Sequence, residues 1–218
     1  ADDLLAGIYV SAWIGDIASD NCSAGGESVT DTEGLHQIEY MTHGAVNEEC
    51  RSVMRYNYCG IARCNFILEP KQNNVEFAVK DVILAEAKFL RAFYYFELVK
   101  FFGAVPLVVD ERLGVQQVSE LSRTPKEQVY AQIESDLQDA VATLSWKSES
   151  SHSGIKGRVD KGAALGLLGK VYLYQEKWSL AAGTLDQIIN SNYYALTADY
   201  PNIFLKENEN NAETIFDI

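Results

Sequence analysis

The sequence predicts an all-α fold of helical hairpins separated by long irregular loops. Three observations carry that expectation. Ala85 to Glu111 reads as a long apolar helix that stops at Gly103, with a short extended run, Val105 to Val109, directly after it. Apolar residues recur at helical spacing along 46–68 and 125–144. In the last third, large and small residues over Leu168–Leu185 are spaced as in two closely packed antiparallel helices.

The elements follow in order. Residues 3 to 15 form a helix pattern with Leu4, Leu5, Ile8, Tyr9 and Ala12 on one face. Residues 16 to 45 are rich in Gly, Ser, Asp, Asn and Thr and read as a loop, long enough to suggest a functional segment. The next helix carries Val46, Cys50, Val53, Asn57, Ile61, Cys64 and Leu68 along a stripe, and Pro70 closes it. Residues 75 to 102 form the central helix. It is apolar on nearly every side, which demands burial or a membrane span. Glu86, Lys88, Arg91, Glu97 and Lys100 argue against a span. Glu86 and Arg91 therefore need an opposite charge or backbone groups as partners, a structural role. A polar connector, 110–122, leads to Thr124-Pro125-Lys126-Glu127, read as a capping box with Thr124 at the N-cap. Residues 145–157 are a Ser/Gly/Lys-rich loop.

In 158–192, Leu168, Gly169, Tyr172, Trp178, Ala181 and Leu185 fit tetratricopeptide spacing. Gly169 and Ala181 are small so that two helices approach, and Tyr172 and Trp178 are expected to fill the wedge beside them. The segment 75–144 reads as a second, degenerate pair. We expect one helical domain over 1–218. The chain opens inside a helix pattern and ends in the apolar run Thr214–Ile218, which predicts a piece of a longer protein.

Composition narrows the function classes. The 218 residues carry a net charge of −13 with scattered basic residues, which opposes nucleic acid and anionic membrane surfaces. The chain shows no signal peptide or transmembrane run. Cys22, Cys50, Cys59 and Cys64 form no CxxC pair, and the histidines are not spaced as zinc partners. Buried thiols acting as small apolar groups are one reading. A bridge from Cys22 to the helix is the other, open to an exported protein. There is no GxSxG, HExxH, phosphate-loop or dinucleotide fingerprint. Glu48-Glu49 and Asp110-Glu111 read as solvated acids rather than a hydrolytic pair. Glu207–Asn211 lacks the alternation and terminal Glu of a calcium loop. No enzyme, cofactor or metal is expected.

One run is distinctive as a whole: Ala85-Glu86-Ala87-Lys88-Phe89-Leu90-Arg91-Ala92, then Tyr94-Tyr95, Phe102-Gly103 and Val105-Pro106-Leu107. It resembles the signature of the SusD/RagB family, nutrient-binding lipoproteins of the Gram-negative cell surface. Gly15-Asp16 and Asp20-Asn21, shortly after the first helix, resemble an early family segment, as do Tyr56, Ile61 and Asn65. The family usually has a Trp one turn before that Tyr; Met54 stands here.

The resemblance implies a SusD-like helical scaffold at the outer membrane, on its extracellular face, held by a lipid anchor that is not in this chain. It implies capture of a glycan or similar nutrient for a SusC-type TonB-dependent transporter, without chemistry on the substrate. Sugars are bound by aromatic platforms with carboxylates, amides and Arg on the hydroxyls. Trp13, Asp20, Asn21, Tyr40, His43 and Arg51 supply such groups in or beside the 16–45 loop. Family binding surfaces draw largely on a later half of the chain, absent here. The alternative reading is a tetratricopeptide scaffold for a peptide or protein. A glycosidase has no motif behind it.

Overall fold

The computed structural model describes residues 2–28, 30–69, 75–109, 113–147 and 157–216, with side chains from residue 10 onward. It is all-helical. The α-helices are α1 (Asp2–Ile17), α2 (Glu33–Glu39), α3 (Glu48–Leu68), α4 (Lys80–Phe102), α5 (Val115–Ser119), α6 (Lys126–Thr143), α7 (Lys161–Tyr174) and α8 (Trp178–Ile189). Two 3-10 helices follow, Tyr200–Phe204 and Lys206–Asn208. Among the described residues, β structure is limited to an antiparallel bridge between Val105 and Thr124.

The chain divides into two compact units, 1–63 and 64–218, with the boundary inside α3. In the first, α1 packs on α2. Ile14 and Ile17 of α1 and Leu35 and Ile38 of α2 are buried. Asn47 ties α2 to the start of α3. Its amide nitrogen donates to the Gly34 carbonyl (2.9 Å) and to Gln37 Oε1 (3.0 Å). Its oxygen accepts from the Glu49 and Cys50 N–H groups, as an N-cap does.

In the second unit, α6 packs on α4, α7 on α6, and α8 folds back on α7. Helix α4 is the post of this stack, and Ala85, Phe89, Ala92, Tyr95, Phe96 and Leu98 are all buried. Its end is set by Gly103, whose φ of 64° suits glycine and whose N–H reaches the Val99 carbonyl. The two charges inside the helix have partners. Arg91 donates from Nε and an Nη to the two Asp136 oxygens (2.8 and 2.7 Å), and from the other Nη to Asn65 Oδ1 and the Val109 carbonyl. Burial disfavours the Arg91 charge, but the bonds and charge of Asp136 outweigh it and raise its pKa. Glu86 accepts from Arg158.

The extended run after α4 is held by side chains rather than by a sheet. Tyr95 Oη donates to the Val108 carbonyl and accepts from the Val108 N–H (2.9 and 2.7 Å). Asn65 donates to the same carbonyl (2.8 Å). At the other end of the stack, Asp160 caps α7 through the Ala163 N–H and accepts from Tyr194 Oη (2.8 Å). Burial and that bond push the Tyr194 phenol up.

The structure corrects several expectations. The segment 16–45 is not all loop: α1 runs to Ile17, and α2 forms because Leu35 and Ile38 share a buried face. Helix α4 begins at Lys80, not at 75. Thr124 does not cap α6. Its N–H pairs with the Val105 carbonyl, Pro125 takes the N-cap position, and no side-chain cap bond forms. Ala12 is exposed, and so is Val46, at 94%. Trp178 fills no wedge; it is 62% exposed. Gly169, Tyr172 and Ala181 are buried. The four cysteines are free: Cys64 is buried and Cys50 half-buried, but Cys22 and Cys59 are exposed. The side chains of Leu4, Leu5, Ile8 and Tyr9, the closing Pro70, Asp110-Glu111 and most of the 145–157 loop lie outside the described residues.

Two buried acids give the fold an alkaline limit. Burial pushes the Cys64 thiol from 9.0 to about 12 and the Tyr95 phenol from 10.0 to about 12. Both are protonated in the folded chain and ionise more readily when unfolded. Their contribution is complete below pH 9 and is lost as pH rises toward about 12. We expect the urea midpoint to fall steeply above pH 9, and less steeply in a Cys64→Ala variant. A flat midpoint between pH 9 and 11 in the parent protein counts against this.

Candidate functional site

The first unit carries a cleft of about 310 Å³ between the end of α1, the following loop and α2. Trp13, Asp16 and Ile17 contribute from α1. Their spacing of three and four residues puts them on one helix face. Leu35 forms the apolar floor, and Ser23 and Thr32 add hydroxyl groups. The volume is at the lower end of the roughly 300–1,000 Å³ typical of small-molecule sites.

Short-range bonds shape the loop. Ser19 Oγ donates to the Asp16 carbonyl (2.6 Å) and accepts from the Asn21 N–H, turning the chain out of α1. The Ala24 N–H donates to Glu39 Oε2 (3.1 Å), and Thr32 Oγ1 donates to the Gly25 carbonyl (3.0 Å). One N–H and one carbonyl of the loop wall are thus tied to α2 and the residue before it. Glu39 also lies 3.6 Å from His36 Nδ1. Near Gly26, at φ 152°, a Cβ would stand 2.9 Å from an Asp31 oxygen, so only glycine brings the backbone this close.

Of the six residues singled out from the sequence, Trp13 lines the cleft, and 44% of it is exposed. Asp20 and Asn21 lie in the exposed turn beyond α1, outside the lining. Tyr40 is 68% exposed at the end of α2, stacked on His36. His43 is exposed, with its N–H on the Gln37 carbonyl. Arg51 is paired with Glu48 on the surface of α3. The structure does not gather these five around Trp13 in the cleft. Asp16, Ser23 and Thr32 take those places. Asp16 was legible as the residue one turn beyond Trp13. Ser23 and Thr32 follow only from the path of the loop.

An indole face beside a carboxylate and two hydroxyls is chemistry for a polar ring-shaped ligand. The apolar face stacks on C–H groups, and the oxygens take hydroxyl protons. Among the described lining residues Asp16 is the only carboxylate, whereas carboxylate-pair hydrolysis needs two.

Residues 5–173 match the SusD-like family model described as "starch-binding associating with outer membrane". The chain belongs to that family. It is 32% identical to a SusD-like protein of Bacteroides ovatus over 164 residues, 69% of this chain and 28% of the relative. SusD-like protein P25 of Formosa agariphila is 28% identical over 163 residues, 74% of this chain and 30% of the relative. Among solved structures, surface glycan-binding protein A from Bacteroides uniformis superposes with a TM-score of 0.83 at 25% identity, covering 100% of this chain and 51% of that one. A laminarin-binding SusD-like protein gives 0.79 at 29% identity, covering 99% and 50%. The chain thus spans about half the length of these structures and under a third of the curated relatives.

Proposed function

We propose that this chain is the helical scaffold portion of a glycan-binding protein. Trp13, Asp16, Ser23 and Thr32 are its contribution to the binding surface. The observation that carries the reading is the indole of Trp13 set against polar groups in a cleft, in a chain of a family described as starch-binding. The whole protein captures a glycan at the outer membrane's extracellular face, anchored by lipid, and passes it to a SusC-type transporter without reacting with it. Among the described residues no helix is long and apolar enough to cross a membrane. The scaffold reads as one domain in which 75–144 and 158–192 are tetratricopeptide-like pairs. The packing of α6 on α4 and of α8 on α7 supports the two pairs.

A second reading, a scaffold for a peptide or protein, has one observation in its favour. Trp178 and Ile189 of α8 and Tyr200 and Phe204 beyond it are each more than 60% exposed. Titration calorimetry with soluble starch, laminarin and a peptide library separates the two. Trp13→Ala is expected to weaken glycan binding about tenfold or more, as truncation of a tryptophan at the centre of a binding site does at about 2 kcal/mol or more, with unchanged helical circular dichroism. Unchanged glycan affinity in that variant removes the cleft from the binding surface. Binding to peptides alone favours the scaffold.

A further inference from the structure

Resting on the glycan reading, we propose that the cleft selects uncharged glycans and excludes sulfated or uronic-acid ones. The first 47 residues, which build α1, the loop and α2, hold eight Asp and Glu residues and no Lys or Arg. The first basic side chain after them, Arg51, is already paired with Glu48.

Four of these carboxylates lie in or beside the segments that build the cleft. Asp16 is in the lining. Glu39 bonds the N–H of the lining residue Ala24, and Asp31 bonds the Glu27 N–H at the loop's outer turn. Glu33 opens α2 beside the lining residue Thr32. The segment's only other titratable cations are the histidines. His36 lies against Glu39, and His43 is exposed outside the lining.

A sulfate or carboxylate on a sugar is held most strongly by a cationic side chain, above all Arg. Among the described lining residues there is neither Lys, Arg nor His. A charged sugar stacked on Trp13 is therefore brought toward Asp16 with no cationic side chain in the lining to neutralise it. The other carboxylates add repulsion that acts within a Debye length of about 8–10 Å at ordinary salt. A neutral sugar meets none of this, and its hydroxyl protons are what Asp16 accepts. The charge pattern thus narrows the ligand class in a way that the aromatic platform alone does not.

The test measures binding of the protein to neutral polysaccharides (soluble starch, laminarin, galactomannan) and anionic ones (sulfated laminarin, alginate, carrageenan), at 20 and 500 mM NaCl. We expect a neutral member to bind with affinity independent of salt. Sulfated laminarin is expected to bind at least tenfold more weakly than laminarin at low salt, with the gap closing at high salt. A Glu27→Lys/Glu33→Lys variant, changed outside the lining, is expected to narrow the gap while leaving neutral binding intact. Anionic binding equal to or tighter than neutral binding, lost in Trp13→Ala, overturns the inference and leaves the glycan reading standing. Absence of binding to every polysaccharide removes the glycan reading and the inference together.

Discussion

Arg91→Ala is expected to be among the most damaging single substitutions in the chain, costing about 3–5 kcal/mol of stability. Arg91 and Asp136 are both nearly sealed from solvent, with side chains 6% and 3% exposed. Removing one member leaves the other charged and buried, and that penalty far exceeds the net value of the pair. Two more acceptors lose their donor at the same time, Asn65 Oδ1 and the Val109 carbonyl. The urea midpoint should fall by roughly 1–2 M, and amide exchange at Val108 and Val109 should quicken, since Arg91 helps hold this segment to α4. Arg91→Met combined with Asp136→Leu should recover much of the loss, because a packed apolar pair needs no counter-charge. A single variant as stable as the parent protein would falsify the view that this network holds the 105–109 run in place.

That network also marks what can be read from one sequence. A charged residue in a helix apolar on every side must have a partner, so the need was plain from 85–102 alone. The pairing with Asp136 was not, because that residue comes from a helix 45 positions away, although it is the acid of α6 that falls on the apolar stripe with Ile133 and Ala140. Helix existence was legible from periodicity and Gly103 from its place at the end of the run. Thr124 misled because a cap motif and a bridge compete for one residue, and the tertiary contact with Val105 won. Helix α2 was hidden by the polar composition of 16–45; its seven residues give too few turns to show a period. In the cleft, Trp13 could be picked by type, since a tryptophan beside a polar loop is uncommon. Ser23 and Thr32 could not, because hydroxyl residues are everywhere in that loop and only its fold selects two.

Gly169 and Gly166 lie one turn apart on α7, and substituting them is expected to have effects of opposite sign. At Gly169 an added Cβ would stand 2.6 Å from Leu185 Cδ2 and 2.8 Å from its Cγ, across the contact with α8. Since the Cγ itself is in the way, rotating the end of the Leu185 side chain does not relieve the clash; the helices must part. At Gly166 the nearest atoms, on Ile188 and Ile215, are 3.8 and 3.9 Å away, ordinary contact distances. Gly166→Ala should therefore gain most of the roughly 1 kcal/mol by which alanine exceeds glycine in a helix. Gly169→Val should lose about 2–3 kcal/mol, as overpacked sites do. Adding Leu185→Ala should return a substantial part of it, giving the two positions a coupling of roughly 1 kcal/mol or more in a double-mutant cycle. Thermal unfolding of the four variants measures all of this. If Gly169→Val behaves like Gly166→Ala, α7 and α8 have slack between them, and the close approach that stacks this half of the chain into a rigid frame is not enforced at that glycine.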